Sequence, residues 1–219
     1  MLRLISANLR HGGADPAALE DLIARENAAI VAVQELGPAL AETLGRMLPH
    51  GKLEPTPDGL GLGVALRRPA VVERLPLPVR DARVARLEAE DWPELDGRIE
   101  ILNVHIAAPH TRDWHRRGGQ VAGLEAYLEK VPGPRVLVGD LNATPLWPVY
   151  RRLVARLEDG ARIVAARAGQ PPRRTWGPTE GSPRVLRIDH VLVDAVDVHD
   201  VRVVSLPGSD HSALVVDLA

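Results

Sequence analysis

The sequence contains no cysteine among its 219 residues. Disulfide bonds, thiolate nucleophiles and cysteine-ligated metal sites are therefore excluded. No apolar run approaches the roughly 20 residues that a membrane-spanning helix requires. The N-terminal residues, Met1 to Asn8, alternate like a strand and lack the apolar core of a secretory signal. We therefore expect a protein without a membrane span, located in the cytoplasm.

Lysine is also scarce, because 25 of the 27 basic residues are arginine. Guanidinium groups suit phosphate recognition, but a GC-rich genome explains the same bias more simply, so arginine content alone decides nothing. The net charge of −2 does not indicate a general polyanion binder. The hydrophobic fraction of 45% is ordinary for a globular protein, and the length suits a single domain over residues 1–219.

Apolar, β-branched runs alternate with segments of helical periodicity along the chain. Strands are predicted at residues 2–8, 29–34, 59–66, 70–75, 79–90, 98–106, 136–138, 173–176, 185–193, 198–205 and 213–218. Helices are predicted at residues 16–26, 38–48, 111–130 and 145–157. Strands with intervening helices, several of the strands antiparallel, indicate an α/β domain with mixed sheets.

The segment 136–145 has the composition of a buried strand that ends in polar residues. Asp140 and Asn142 are two residues apart, so they point the same way where the chain stays extended. Thr144 and Pro145 have the types expected of a helix N-cap and first helical residue. A carboxylate and an amide at a strand end suit a polar site, although a polar strand-to-helix turn explains this segment equally well.

Similar polar residues interrupt, follow or directly precede five other apolar strands. They are Asn8, Glu35, the pair Asn103 and His105, the pair Asp189 and His190, and the run Ser209-Asp210-His211. Asp189 is flanked by Ile188 and Val191, and a carboxylate in such surroundings must be paired or hydrogen-bonded. Because open sheets collect their functional sites at strand ends, we expect these side chains to converge.

The ordered set of motifs resembles the endonuclease/exonuclease/phosphatase superfamily, which has the deoxyribonuclease-like fold. The motifs are Asn8, Gln34-Glu35, Asn103-x-His105, Gly139-Asp-Leu-Asn142, Arg187-Ile-Asp-His190 and Ser209-Asp-His211. No single motif is strong, but the set in this order covers nearly the whole chain. The resemblance implies a four-layer α/β sandwich, in which two packed mixed β-sheets are flanked by helices.

The resemblance further implies metal-assisted hydrolysis of a phosphate ester by water. The implied metal is Mg²⁺, with Mn²⁺ as a substitute, and its ligands are Glu35 directly, Asn8 mostly through water, and Asp210 as the carboxylate of a second site. Whether one or two ions act is left open.

Catalytic roles fall by the same resemblance on five residues, which are Asp140, Asn142, His105, Asp189 and His211. Asp140 activates the water, with His211 as the alternative general base, and Asn142 donates a hydrogen bond to the water or to a phosphate oxygen. The two histidines hold the non-bridging oxygens. Asp189 pairs with His211 and raises its pKa.

Substrate contacts are expected from Asn103, Arg112, Trp176 and Arg187. Trp176 is of a type that stacks on a nucleobase, and packing against Pro178 is the alternative explanation of it. We expect a monomeric, Mg²⁺-dependent nuclease acting on DNA or RNA. A phosphatase or lipid-headgroup phosphodiesterase (inositol phosphate or sphingomyelinase-like) is the alternative, and a catalytically silent binding module is a third possibility.

Overall fold

The computed structural model describes residues 1–218, which form twelve strands, five α-helices and one 3₁₀-helix. The strands are β1 Leu2–Asn8, β2 Ile30–Leu36, β3 His50–Glu54, β4 Gly61–Leu66, β5 Val71–Leu75, β6 Ala82–Leu87, β7 Ile99–His105, β8 Arg135–Asp140, β9 Glu158–Asp159, β10 Asp189–Asp194, β11 Val198–Ser205 and β12 Ser212–Leu218. The α-helices are α1 Pro16–Glu26, α2 Pro38–Met47, α3 Arg117–Lys130, α4 Pro148–Leu153 and α5 Gly160–Arg167, and the 3₁₀-helix is Trp114–Arg116.

The strands form two six-stranded mixed sheets with the same plan. The first has the order β11-β12-β1-β2-β4-β3 and the second the order β5-β6-β7-β8-β10-β9. The two central strands of each sheet, β1 with β2 and β7 with β8, run parallel, and the other strand pairs within residues 1–218 are antiparallel. The carboxyl ends of both parallel pairs carry the polar residues of the sequence motifs.

Three apolar clusters define four layers. The cluster between the sheets combines β1 and β4 residues with residues of β7, β8 and β10. A second cluster lies between the first sheet and helices α1 and α2. A third lies between the second sheet and helices α3 and α4. This arrangement confirms the predicted sandwich of two packed mixed sheets flanked by helices. Within residues 1–218, no helix has both the length and the apolarity to cross a bilayer.

Helix α1 begins as its sequence predicts. The Asp15 side chain caps it by accepting a hydrogen bond from the Ala17 amide at 2.9 Å, and Pro16 occupies the first helical position. It ends at Asn27, whose φ of 49° is left-handed.

Several predicted elements differ from the structure. Helix α4 begins at Pro148 rather than at Pro145, because the Trp147 amide closes a turn onto the Thr144 carbonyl at 3.0 Å. Helix α3 begins at Arg117, after an irregular segment and the 3₁₀-helix. The predicted strand 173–176 forms only isolated bridges from Trp176 to Leu186 and His211. Strands β3 and β9 and helix α5 were not predicted.

Candidate active site

Both sheets contribute to one cluster at the carboxyl ends of their parallel strands. The first sheet places Asn8 at the end of β1 and Glu35 near the end of β2. The second sheet places His105 and Asp140 opposite each other at the ends of β7 and β8, and Asp189 opposite Asp140 at the start of β10. The predicted convergence of these residues is present.

Gly139 allows Asp140 to reach this position. Its φ is 134°, and a Cβ there would lie 2.0 Å from the Val104 carbonyl oxygen of the neighbouring strand. A side chain at residue 139 would therefore push β7 and β8 apart.

Asp140 is the centre of the cluster, with 1% of its surface exposed. Its carboxylate accepts hydrogen bonds from the Asn142 amide at 2.7 Å, from Asn142 Nδ2 at 3.0 Å and from Asn8 Nδ2 at 3.1 Å. Burial raises the pKa of Asp140 to about 7, with smaller contributions from Asp189 and Glu35, against the opposing charge of His211. The carboxylate therefore changes its protonation state near neutral pH.

The Asn142 side chain is occupied in holding this carboxylate. Its Nδ2 also donates to the Ile106 carbonyl at 3.0 Å, and its backbone φ of 47° is left-handed. Donation from Nδ2 to water or phosphate, as predicted for Asn142, competes with these two contacts.

Glu35 lies at a β-bulge, where the register of β2 against β4 shifts between Gln34 and Leu36. The φ of Glu35 is 56°, which is an uncommon value for glutamate. Backbone strain of this kind is found most often at functional sites. The bulge turns the carboxylate toward Asn8 Nδ2, which donates to it at 3.2 Å, while the His11 amide donates at 2.8 Å.

The predicted pair of Asp189 and His211 is present, with His211 Nδ1 2.9 Å from Asp189 Oδ2. Burial alone would lower the pKa of His211, but the charge and hydrogen bond of Asp189, with the charges of Asp140 and Asp210, raise it to about 9. His211 is therefore an imidazolium at neutral pH. Its Nε2 lies 4.0 Å from Asp140 Oδ2.

His105 has the opposite character, because its pKa is lowered well below 6.5 by burial and by the charges of Arg80, His211 and His11. Arg80 Nη1 lies 2.8 Å from both ring nitrogens. Since guanidinium only donates, the nitrogen that accepts from it carries a lone pair and the ring is neutral.

Arg80 is a site residue that the sequence did not reveal. It follows Val79, whose φ of 73° is rare for a β-branched residue, and its amide donates to the Pro78 carbonyl at 3.0 Å. This pattern is a strained γ-turn, and no sequence signal for it is present in the loop.

The remaining predicted residues divide into those near the cluster and those away from it. Asp210 accepts a hydrogen bond from Trp176 Nε1 at 3.1 Å and lies 4.0 Å from Arg10 Nε. The indole nitrogen of Trp176 therefore orients Asp210. The face of the Trp176 ring, which is half-buried, takes no part in that hydrogen bond. Arg112 is exposed between β7 and α3, where no ion pair joins it to a described residue.

Asn103 requires a correction. It is 0% exposed, and its Nδ2 donates to the carbonyls of Val33 at 2.9 Å and Gly63 at 2.8 Å. Its Oδ1 accepts from Gln34 Nε2 at 2.6 Å. Asn103 therefore joins the two sheets and cannot touch a substrate, so the predicted substrate contact is wrong.

The donor set suits a hard divalent cation. Asp140, Asp189 and His211 lie close enough for one ion, within 4.8 Å of one another, but Asp189 and His211 are already satisfied by each other. Glu35 is the better oxygen donor, because its carboxylate is only partly buried and lies beside Asp140, with which it shares the Asn8 amide. Asn8 Oδ1 accepts from the Arg10 amide at 2.9 Å, so Asn8 fits an indirect contact through water rather than a direct one.

Comparison with known proteins is consistent with this geometry. The structure of a functionally unknown conserved protein from Enterococcus faecalis matches 100% of this chain and 99% of its own, with a TM-score of 0.75 and 18% identity. The mannosyl-6-phosphatase of Bacteroides thetaiotaomicron matches 100% of both chains, with a TM-score of 0.74 and 15% identity. The human Nocturnin catalytic domain with bound sulfate matches 100% of this chain and 94% of its own, with a TM-score of 0.72 and 19% identity.

These identities are low, and the similarity to solved structures shows the fold alone. No protein among the curated sequences matches the chain. The model of the Endonuclease/Exonuclease/phosphatase family, however, matches residues 5–211. The chain therefore belongs to the endonuclease/exonuclease/phosphatase family and is a hydrolase of phosphoric ester bonds.

Proposed function

We propose that the protein is a Mg²⁺-dependent phosphodiesterase, and that it acts as a nuclease on DNA or RNA. The family is generally dependent on divalent metals. The observation that carries the proposal is the placement of buried Asp140 between Glu35 and the His211–Asp189 pair. Hydrolysis of a phosphate ester needs a general base with a pKa near neutral, a carboxylate that can bind a metal ion, and a positive charge that faces the phosphate. Asp140, Glu35 and His211 supply these three groups.

Asp140 takes the proton from the attacking water in this proposal. Its pKa of about 7 matches a base that works near neutral pH. His211, with a pKa of about 9, is already protonated there and is a poor base. The assignment of Asp140 as base and His211 as the cation facing the phosphate follows from this difference.

Glu35 is the direct Mg²⁺ ligand of the proposal, with Asp210 as a further carboxylate and Asn8 acting through water. When bound, Mg²⁺ would neutralise charge on the phosphate and help to orient it. The chain itself supplies the imidazolium of His211 and the neutral ring of His105, both aimed at the space beside Asp140. Their role is to stabilise the non-bridging oxygens as negative charge builds up.

A phosphatase is the second candidate, because one solved neighbour is described as a mannosyl-6-phosphatase. A lipid-headgroup phosphodiesterase has the same catalytic parts. A silent binding module is the least suited, because each proposed catalytic position carries a competent side chain. The predicted cytoplasmic location and monomeric state stay predictions.

The test compares a chromogenic phosphodiester, a chromogenic phosphomonoester, plasmid DNA and single-stranded RNA, each with Mg²⁺ or EDTA. Diester and nucleic acid cleavage that EDTA abolishes is the expected result. We expect Asp140→Asn and His211→Ala to lower turnover by several orders of magnitude, with folding unchanged by circular dichroism. Turnover of the monoester alone would overturn the nuclease proposal, and activity in EDTA would overturn the metal requirement.

A further inference from the structure

A cleft of about 600 Å³ opens beside the loop that follows Asp140. We call it the arginine cleft, and it is lined chiefly by Thr144, Leu146, Trp147, Arg162, Arg174 and Arg187. Its size lies in the range of small-molecule sites. Thr144 is two residues beyond Asn142, and Arg187 two residues before Asp189, so both walls lie within about 7 Å of a catalytic residue along the backbone.

The cleft carries a net positive charge, because three arginines and no carboxylate line it and only the charge of Arg187 is offset, by Asp159 behind the lining. Arg187 is only 8% exposed, and its Nη2 donates to Asp159 Oδ2 at 2.7 Å. Its Nη1 is buried and has no hydrogen-bond partner among the described residues. A buried donor without a partner is costly, so a shift of the Arg187 side chain that lets Nη1 reach a ligand acceptor in the cleft would be favourable. Arg174 is exposed and forms no ion pair with a described residue, which leaves its charge available to the same ligand.

The other wall of the cleft is apolar. Leu146 is 84% exposed and Val185 is 44% exposed, and both are large apolar side chains that face water. Trp147 lies between Leu146 and helix α4 and is half-buried. A flat apolar group placed against this wall would remove Leu146 and Val185 from water.

We propose that the arginine cleft binds the nucleotide next to the scissile phosphate of a single-stranded polynucleotide. Arg174 and Arg187 hold that nucleotide's phosphate, and its base lies against Leu146 and Trp147. This inference rests on the proposed phosphodiesterase function, and it names the substrate class of that site. A base in the cleft is unstacked from its neighbours, which a single strand permits at low cost.

The charge of the cleft separates a polynucleotide from the alternative substrates. A phospholipid diester has one phosphate, which the reaction itself would occupy, so it leaves the charge of Arg174 without an anion. A phosphorylated inositol brings further phosphates but no flat apolar group for the Leu146 wall. A polynucleotide supplies both the second phosphate and the base.

The test measures binding without turnover and then hydrolysis. A fluorescent single-stranded oligothymidine is titrated in EDTA by anisotropy at several KCl concentrations. We expect Arg174→Ala to weaken binding about tenfold, as expected for the loss of one charged hydrogen bond. The slope of log affinity against log salt should become shallower by about 0.7, since one phosphate contact is lost. Leu146→Ser should weaken binding without changing that slope.

Arg151→Ala is the matched control, because Arg151 is an exposed arginine on α4 outside the cleft lining. With Mg²⁺, the fall in kcat/KM for Arg174→Ala should be about ten times larger on the oligonucleotide than on a chromogenic diester with one phosphate. Equal losses in Arg174→Ala and Arg151→Ala, or an unchanged affinity and salt slope in Arg174→Ala, would overturn the inference.

Two further outcomes separate the cleft from the proposed function. Hydrolysis of the chromogenic diester by a wild type that does not bind the oligonucleotide would overturn the cleft and keep the phosphodiesterase. Arg174-dependent binding without hydrolysis of any ester would keep the cleft and overturn the enzyme activity.

Hydrolysis of sphingomyelin vesicles that Leu146→Ser reduces, with no effect on the oligonucleotide, would identify an amphiphile as the occupant and reject the nucleotide.

Discussion

Asp189→Asn tests how the site maintains a cation beside the phosphate. The pKa of His211 is raised from 6.5 to about 9, which corresponds to about 3.4 kcal/mol in favour of the imidazolium. Asp189 provides the largest favourable contributions, its charge and its hydrogen bond. Without that carboxylate, burial is opposed only by the charges of Asp140 and Asp210, so the pKa of His211 falls toward its ordinary value of 6.5.

The expected loss of activity follows from the protonated fraction. At pH 8, a group of pKa 9 is about 90% protonated and one with the ordinary pKa of 6.5 about 3%, so kcat should fall by up to about thirtyfold. The ratio of wild-type to variant kcat should shrink as the pH falls toward 6. The folded-state pKa is raised, so the pair's contribution to stability is fully present below pH 6.5 and is lost as the pH rises through 9.

Two measurements check this prediction. The first is kcat for a chromogenic diester from pH 6 to pH 9.5, with Asp197→Asn as a control because Asp197 is exposed on the turn after β10. The second is an NMR titration of the histidine rings in EDTA, with the His211 signal assigned from His211→Ala. A wild-type His211 that titrates below pH 7, or a rate ratio that does not change with pH, would refute the reasoning.

Three further substitutions have defined outcomes. Asn103→Leu should lower the unfolding free energy in urea by about 3 kcal/mol, because three buried hydrogen bonds are lost, and an unchanged midpoint would contradict this. His190 is buried and neutral, and burial lowers its pKa to about 4, so its contribution to stability is present above pH 6.5 and is lost as the pH falls toward 4. The unfolding free energy of His190→Gln should therefore fall by about 3 kcal/mol less than that of the wild type between pH 6.5 and pH 4, measured by denaturation at both pH values. Arg80→Ala should raise the pKa of His105 in the NMR titration and lower kcat/KM about tenfold, whereas an unmoved His105 signal would reject the contact.

Residue patterns were sufficient to predict a mixed-sheet α/β domain and the convergence of most of the cluster, and the family resemblance added the four-layer sandwich. Asn8, His105 and Asp140 interrupt apolar strands at their carboxyl ends, and parallel strands bring such ends together. The bulge at Glu35 was not predicted, because a two-against-one register depends on the partner strand β4 rather than on the local sequence.

The error at Asn103 has a simple geometric cause. Asn103 and His105 do share one face of β7, as alternation predicts. Two residues along a strand span roughly 7 Å, however. That distance puts Asn103 in the core between the sheets, while His105 lies at the end of the strand beside the catalytic cluster. Periodicity gives the face of a side chain but not its depth. The position of Arg80 was beyond sequence reasoning for another reason, since the positive φ of Val79 that directs it is rare for a β-branched residue.

The buried contact between Asn103 and Gln34 has a consequence for the enzyme as a whole. The catalytic groups are divided between the sheets, so relative sliding of the sheets would move His105 and Asp140 away from Asn8 and Glu35 together. A displacement of 1 Å in reacting groups costs about a hundredfold in rate. The contact between Asn103 and Gln34 is one of several polar contacts between the sheets, together with Asn8–Asp140 and Arg83–Glu54. These directional contacts align two halves whose remaining interface is apolar packing. Substitutions in the inter-sheet core should consequently inactivate the protein at temperatures where its secondary structure is still intact.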